Sequence, residues 1–554
     1  MTQVQPDQHN MTDYESERRD FKLTAPADFN WAFDVVDRWA EDPKKEAMLW
    51  VGPNGDERGI TFDEFRRSSN RLANGLEQAG VRRGDRVFLM LPRLVEWWES
   101  ILGIMKIGAV SMPGTTLLTP KDIAYRANLA ETRVVITDAA NAPKFDEVRP
   151  QCPSLEVLIV VGGAREGWHS YEALVGAASE ERARLATPSD DPCMIYFTSG
   201  TVGYPKMVLH THASYPIGHT ITGKYWLDLR PTDLHWNMSE TGWAKAAWSN
   251  LFGPWNMGAA LFTYDGRGKF SVRETLEFLE KYPVTTFCAP PTIYRMMVLE
   301  DLSVYTFAHL RHCTGAGEPL NPEVIETWRK ATGLTIRDGY GQTETVLLCG
   351  NFPPMPVKPG SMGKPSPGFE VAVVGDDGAP LPLGEEGDIG VKIAPDRPLG
   401  LFKEYWRNPE ATANCIRGDW YITGDRAVMD EDGYFWFVGR ADDVILSAGY
   451  RIGPFEVESA LVEHPAVAEA AVVASPDALR GEIVKGFIIL APGHAASDIL
   501  AAELQEHVKN STAPYKYPRE IEFVTELPKT ISGKIRRIEL RERERQRKLN
   551  EESG

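Results

Sequence analysis

Between positions 86 and 161 the chain reads Arg86-Val87-Phe88-Leu89-Met90-Leu91, then a helix-length stretch Val95–Ile107. Ala109–Pro113, Arg133-Val134-Val135-Ile136-Thr137 and Leu155–Val161 follow. Each apolar run has the length of a buried strand, and the intervals have the length of crossover helices. Strands joined in this way pack as a parallel sheet, so the stretch predicts an α/β fold. Upstream, Thr61 and Glu64 stand at capping-box spacing, with Phe65, Leu72 and Leu76 following at helical intervals.

Working outward, the pattern changes after about residue 350. Phe369–Val374, a turn at Asp376-Asp377-Gly378, Asp388–Ile393, and Tyr434–Val438 after Asp432-Gly433 predict short antiparallel strands. The last hundred residues change again. They offer a helix at Pro454–Val462, strands at Val467–Ala474 and Val484–Leu490, a helix at Ser497–Asn510 and a strand at Ile521–Val524. The expected organisation is a loose tail over 1–25, a large N-terminal domain over 26–440 and a small α+β domain over 441–545. The large domain would hold parallel α/β subdomains and a small β-barrel-like part at about 350–438. No repeat or low-complexity linker separates them.

The chain has 554 residues, with 60 Lys+Arg against 78 Asp+Glu, a net charge of −18. That acidic balance argues against a nucleic-acid partner, which calls for a broad basic face. Cys152, Cys193, Cys288, Cys313, Cys349 and Cys415 are scattered without a C-x-x-C pair, which predicts reduced thiols. Met1–Lys22 has no apolar core of a secretory signal, and the apolar stretches fall far short of the roughly 20 residues that span a bilayer. The expectation is a cytoplasmic protein that is not integral to a membrane, with a homo-oligomer left open. Lys534–Lys548, with eight basic residues against three glutamates, predicts a solvated helix face.

The chemistry is carried by several short motifs. Tyr196-Phe197-Thr198-Ser199-Gly200-Thr201-Val202-Gly203-Tyr204-Pro205-Lys206 combines an apolar lead-in with two glycines, three hydroxyls and a lysine. Glycines let backbone N–H groups turn toward an anion, and hydroxyls and lysine add donors and charge, so this loop suits a polyphosphate. Asp338-Gly339-Tyr340-Gly341-Gln342-Thr343-Glu344 offers an aromatic face, a hydroxyl and a carboxylate; a carboxylate beside phosphates is a natural Mg²⁺ ligand. Tyr421–Asp425 reads as the end of a strand, closing on an acid able to accept ribose hydroxyls. Gly439-Arg440-Ala441-Asp442-Asp443, Ser447-Ala448-Gly449-Tyr450-Arg451 and Pro528–Lys534 complete the series.

In this order and spacing the set resembles the superfamily of adenylate-forming enzymes: acyl-CoA synthetases, adenylation domains and luciferases. The likeness runs from about residue 30 to 540. Ser239–Trp243, Gly315–Pro319 and Ala513–Arg519 look most like the medium-chain acyl-CoA synthetases. The resemblance implies an AMP-forming acid–thiol ligase: a carboxylic acid and ATP give an acyl-adenylate and pyrophosphate, and CoA then displaces AMP. It also implies small-molecule substrates, Mg²⁺ with ATP, and CoA as co-substrate.

Carried over residue by residue, Thr198, Ser199, Gly200, Thr201, Gly203 and Lys206 would hold the phosphates. Glu344 would hold Mg²⁺, and Thr343 would contact the α-phosphate. Gly315, Gly317, Glu318 and Pro319 would flank the adenine with Asp338, Gly339, Tyr340, Gly341 and Gln342. Asp425, with Arg440 nearby, would bind the ribose, and Lys534 would bridge the acyl carboxylate and the nucleotide. Lys206, Thr343, Glu344 and Lys534 form the catalytic set, while Trp243, Gly341, Thr343 and Arg451 would face the acid.

Asp442 matches the family's hinge, about which the C-terminal domain rotates between half-reactions. CoA would meet Ala448, Gly449, Tyr450, Arg480, Lys509, Tyr517, Pro518 and Arg519. Val202 departs from the family by lacking a hydroxyl, and Leu446 stands where many relatives have lysine.

Related acetyl-CoA synthetases carry tryptophan at position 341, so Gly341 predicts an open floor, unless a neighbour such as Trp243 or Trp248 fills it, and with it butyrate-to-octanoate or small aromatic acids. His210, His212 and His219 are expected to be structural. Two other readings stand beside the ligase: an enzyme that loads a carrier protein, and a non-catalytic sensor of nucleotide or acyl-CoA.

Overall fold

In the computed structural model, which describes residues 9–198, 205–268, 270–448, 450–477, 479–530 and 534–553, Arg86–Met90 lies inside an eight-stranded sheet. It pairs in parallel with Val110–Pro113 on one side and Val134–Asp138 on the other; Val157–Val161 continues the series. These strands are almost wholly buried, as continuous Val/Ile/Leu runs require when helices cover both faces. Pro192–Phe197 joins the sheet beside Val110–Pro113 and turns back through the antiparallel strand Met207–Thr211. The segment just after Phe197 therefore leaves the sheet at a strand end.

A second sheet of nine strands is parallel from Glu46–Val51 through Ala260–Tyr264, Leu234–Asn237, Thr286–Ala289 and His312–Ala316 to Ile336–Tyr340. The predicted capping box is formed: Thr61 Oγ1 accepts from Glu64 N, and the Glu64 carboxylate accepts from Thr61 N at 2.8 Å. Val371–Val374, Glu386–Lys392, Trp420–Met429, Ile416–Arg417 and Phe435–Arg440 make an antiparallel sheet. The last sheet joins Ile445–Ser447, Tyr450–Ile452, Val467–Asp477, Gly481–Leu490 and Glu520–Phe523. Helices Pro454–Val462 and Asp498–Ser511 cover it around a core of its own.

Three expectations are corrected here. Residues 9–25 are not a loose tail: Met11 and Tyr14 are buried, and Tyr14–Asp20 is a helix capped by Asp13. Asn10 donates to the Lys224 and Leu229 carbonyls, Tyr14 donates to Pro365 O, and Tyr225 donates to Glu17. The strand carrying Asp425 does not end there but runs on to Met429 through a bulge after Arg426. Finally, the basic helix Arg537–Ser553 is not simply solvated. Its Glu544 is fully buried and accepts from Lys485 and Ser475, while Arg541 pairs with Asp443 beside the proposed hinge. Its positive charges are largely spent inside the C-terminal unit.

Candidate active site

The strand ends of the nine-stranded sheet and the antiparallel sheet meet at a cleft of about 760 Å³. Crevices outside the carboxyl ends of parallel strands are where α/β proteins place ligands. Strand His312–Ala316 delivers the Gly317-Glu318-Pro319 turn to one wall. Gly317 holds φ +113°, a left-handed backbone that favours glycine. Strand Ile336–Tyr340 delivers Asp338, Gly339 and Tyr340, and the segment after it brings Gly341, Gln342, Thr343 and Glu344. Thr198, Lys206, Asp425, Arg440, Asp442 and Lys534 line the same cleft. Residues more than 300 positions apart thus converge on one space.

Each side chain is held by specific partners. The Asp425 carboxylate accepts from Tyr340 Oη at 2.7 Å and Gln342 Nε2 at 2.6 Å, and Arg440 lies 3.1 Å from its other oxygen. Burial, with Asp425 beside it, pushes the Tyr340 phenol well above its ordinary range. Glu344 is buried and accepts from Tyr405 Oη at 2.8 Å; burial raises its carboxyl pKa against that bond. Lys206 Nζ sits 4.7 Å over the Tyr405 ring. The Thr343 carbonyl accepts from His210 Nε2 at 2.8 Å and Tyr215 Oη at 2.7 Å, which fixes the loop from behind.

Burial pushes Asp338 up to about 8, while its oxygens accept the Gly339 and Leu320 N–H groups. Burial alone would raise Glu318 too, but Arg295, Thr292 and Lys534 outweigh it and hold this carboxyl below the usual range. Lys534 faces the water of the cleft among protein walls. Desolvation lowers its pKa, opposed by Glu318, Asp425 and Glu344.

The arrangement suits an anionic ligand with a planar, polar-edged base: cations at one end, an aromatic face and acceptors at the other. The buried carboxylate Glu344 fits Mg²⁺, which keeps most of its waters and takes one or two protein carboxylates beside substrate phosphates. Ser199, Gly200, Thr201, Val202, Gly203 and Gly449 lie outside the described residues.

Other expected site residues fall elsewhere. Gly315 lies within its strand and Trp243 at the start of a short helix, and neither lines the cleft; nor does Arg451, exposed on Tyr450–Ile452. On the C-terminal unit, Tyr450 stacks on Tyr515 at 4.3 Å. Lys509 and Arg519 lie 4.5 and 4.8 Å from the Tyr517 ring, with Pro518 buried next to it. Ala448 accepts no part of the cleft, and its N–H bonds Arg480 O at 3.0 Å. These residues form a basic, aromatic patch apart from the cleft.

Gly341 corrects a further expectation. A Cβ there would lie 2.2 Å from Trp248 Cη2 and 2.5 Å from the Val346 carbonyl, so the space beside Gly341 is filled, not open. Of the two tryptophans expected as able to fill that space, Trp248 is the one that does so. Its Nε1 donates to Tyr215 Oη at 3.3 Å, and its ring packs 5.5 Å from His219.

Comparison with known proteins places the whole assembly. The AMP-binding enzyme family matches residues 35–406, and the AMP-binding enzyme C-terminal domain matches residues 456–534. The acyl-coenzyme A synthetase ACSM3, mitochondrial, of Homo sapiens is 52% identical over 545 residues, covering 97% of this chain and 93% of the relative. ACSM4 of Rattus norvegicus, also named mitochondrial, is 50% identical over 94% of this chain and 91% of its own.

Among solved structures, the anthranilate CoA ligase AuaEII in complex with anthranoyl-AMP superposes with a TM-score of 0.87 at 33% identity, covering 95% of this chain and 99% of that one. A benzoate CoA ligase from Burkholderia xenovorans LB400 gives 0.82 at 30% identity, covering 93% and 100%.

The mitochondrial names overturn the cytoplasmic expectation, which rested on the scattered cysteines and the lack of apolar segments. Such segments report secretion and membrane insertion, not the choice among internal compartments. No helix among the described residues is long and apolar enough to cross a membrane. With both family models matched and half its residues identical to these relatives, the chain belongs to the AMP-binding enzymes and, among them, to the acyl-CoA synthetases: an AMP-forming acid–thiol ligase that takes ATP and CoA.

Proposed function

We propose that the cleft carries out adenylation of a medium-chain fatty acid or small aromatic acid, and that the C-terminal unit then turns about Asp442 to admit CoA. The observation that carries this reading is the meeting of Lys534 with Lys206, Glu344 and Asp425 in one cleft. In the first step a carboxylate oxygen attacks the α-phosphorus, a new C–O–P link forms, and pyrophosphate leaves in line. Thr198 and Lys206 hold the β- and γ-phosphates, with Ser199, Gly200, Thr201 and Gly203 of the same loop. Thr343 orients the α-phosphate, and Lys534 neutralises charge on the acid and the bridging oxygen. The adenine lies between Tyr340 and the Gly317–Pro319 turn, and Asp425 with Arg440 takes the ribose. Glu344 would hold Mg²⁺, which supplies charge neutralisation on the phosphates.

In the second step the CoA sulfur attacks the acyl carbon, giving its proton up as AMP departs with the bonding pair. Tyr450, Arg480, Lys509, Tyr517 and Arg519 offer charge and ring faces for the phosphates and base of CoA. Their distance from the cleft here fits the adenylating arrangement.

Aromatic acids enter this reading because two structural neighbours are named as anthranilate and benzoate ligases. The test is acid-dependent ATP–pyrophosphate exchange and acyl-CoA formation across short, medium and aromatic acids. Lys534→Ala should lower exchange by about 10²–10³, the worth of one preorganised charged contact, while sparing thioester formation from supplied acyl-adenylate. Equal loss in both steps would make Lys534 structural.

A further inference from the structure

Helix Pro322–Thr332 begins after Asn321, whose position calls for a side chain that caps the first turn. Asn321 makes no such bond. Buried at 4% exposure, its Oδ1 instead accepts from Arg295 at 3.3 Å, and its Nδ2 donates to Ser459 Oγ at 3.2 Å. Ser459 belongs to helix Pro454–Val462, whose apolar face packs into the C-terminal core. The residues around Asn321, Leu320, Val324 and Ile325, pack into a different core under the nine-stranded sheet. A single side chain therefore bridges two separately packed units.

At its other end the bridge reaches the nucleotide wall. Arg295 donates to Glu318 at 2.8 Å and to Thr292 Oγ1 at 3.1 Å, and Thr292 N donates to the same Glu318 oxygen at 3.1 Å. Glu318 lines the cleft together with Lys534, and the two charges favour each other electrostatically. The chain of contacts runs Glu318, Arg295, Asn321, Ser459 and ends on the unit that carries Lys534.

We propose that Arg295 and Asn321 are positioning residues that couple the Glu318 turn to the seating of the C-terminal unit, through Ser459, and so favour the arrangement with Lys534 in the cleft. This rests on the two-step reading above. The bond exists only while the C-terminal unit sits as it does here. Any rotation that withdraws Lys534 separates Ser459 from Asn321, so the bond weighs on one half-reaction alone. Its Arg295 end is fixed by Glu318, so movement of that turn upon nucleotide binding is felt at the unit's edge.

Asn321→Ala, Ser459→Ala and the double variant test this. Because Asn321 does not cap its helix, alanine there removes the bridge and little else. A neutral hydrogen bond of this kind shifts a two-state equilibrium by roughly fivefold. Each single variant should slow pyrophosphate exchange by about that factor, with thioester formation from supplied acyl-adenylate unchanged or faster. The double variant should be no slower than either single, and Ser459→Thr should restore exchange.

Equal falls in both half-reactions, additive losses in the double variant, or unaltered exchange would each overturn the relay. A wild-type enzyme that exchanges normally beside unaltered variants sinks the relay alone. Wild type without exchange on any acid sinks the ligase mechanism beneath it.

Discussion

Replacing Trp248 with alanine should lengthen the acid this enzyme prefers. The Trp248 ring stands 2.2 Å from where a Cβ on Gly341 would lie and is only 5% exposed, so if the acyl chain runs toward Gly341, this indole is what stops it. Removing it opens room for three or four methylenes. Each buried methylene contributes about 0.8 kcal/mol, hence ~2.4–3.2 kcal/mol in all. That converts to a roughly 60- to 200-fold rise in the octanoate-to-butyrate ratio of kcat/KM relative to wild type. The truncation also costs stability, about 3–5 kcal/mol for a buried tryptophan, so the assay belongs at low temperature with circular dichroism confirming the fold. Trp248→Phe, a smaller loss, should move the ratio part of the way. Acyl-CoA yields from butyrate, hexanoate, octanoate and decanoate, read by mass spectrometry, give the profile. An unchanged profile in a folded Trp248→Ala protein would refute the reasoning, because the floor would then lie elsewhere.

Asp442→Pro should retain pyrophosphate exchange and lose acyl-CoA production, since proline fixes φ near −65° and a pivot must change it; loss of exchange in a folded variant would count against Asp442 as the hinge. Gly341→Ala should cut kcat/KM at least about tenfold for every acid, because the Val346 carbonyl 2.5 Å from the new Cβ is backbone and cannot swing aside; a variant merely shifted toward acetate would contradict this. Acid should destabilise the fold steeply. Burial depresses His210, His235 and His312 to about 3 and His212 to about 4. The unfolded chain therefore takes up protons below about 6.5 that the folded one refuses, and stability present above that pH is lost as pH falls toward 4, at ~1.4 kcal/mol per unit per histidine. Melting temperatures between pH 7 and 4.5 measure the slope, and His212→Phe, replacing a ring whose nitrogens have no partners, should flatten it by about one proton.

The central strands were legible because they are buried on both faces, which writes them as unbroken apolar runs such as Val134-Val135-Ile136. The Thr61 box was legible because its bonds are local. What escaped depends on distant partners. Met11 and Tyr14 look isolated in a polar segment, and the groups that fasten Asn10 and Tyr14 come from beyond residue 220. The strand past Asp425 hides behind its charge and its bulge. Gly341 showed where a side chain is missing, with Trp243 and Trp248 as candidate fillers, but only the fold decides that Trp248, 93 positions upstream, occupies the space. Most cleft residues could be named from short motifs. Thr292, Arg295 and Asn321 could not, since no spacing or residue type marks them; only an asparagine that declines to cap its helix hints at them.

The way residues 9–20 are fastened also sets an order of events during synthesis. The central strands of the eight-stranded sheet are complete once residue 161 has been made, and they can close on one another early. Strand Glu46–Val51 can pair at once with Glu57–Thr61, but the parallel partner on its other edge ends only at Tyr264. Tyr14 must wait longer still, for the carbonyl of Pro365. At roughly 5–20 residues per second, that is an interval of about 20 to 70 s. Throughout it Tyr14 lacks its final partner at the ribosome, which makes residues 9–20 the segment most in need of a holdase.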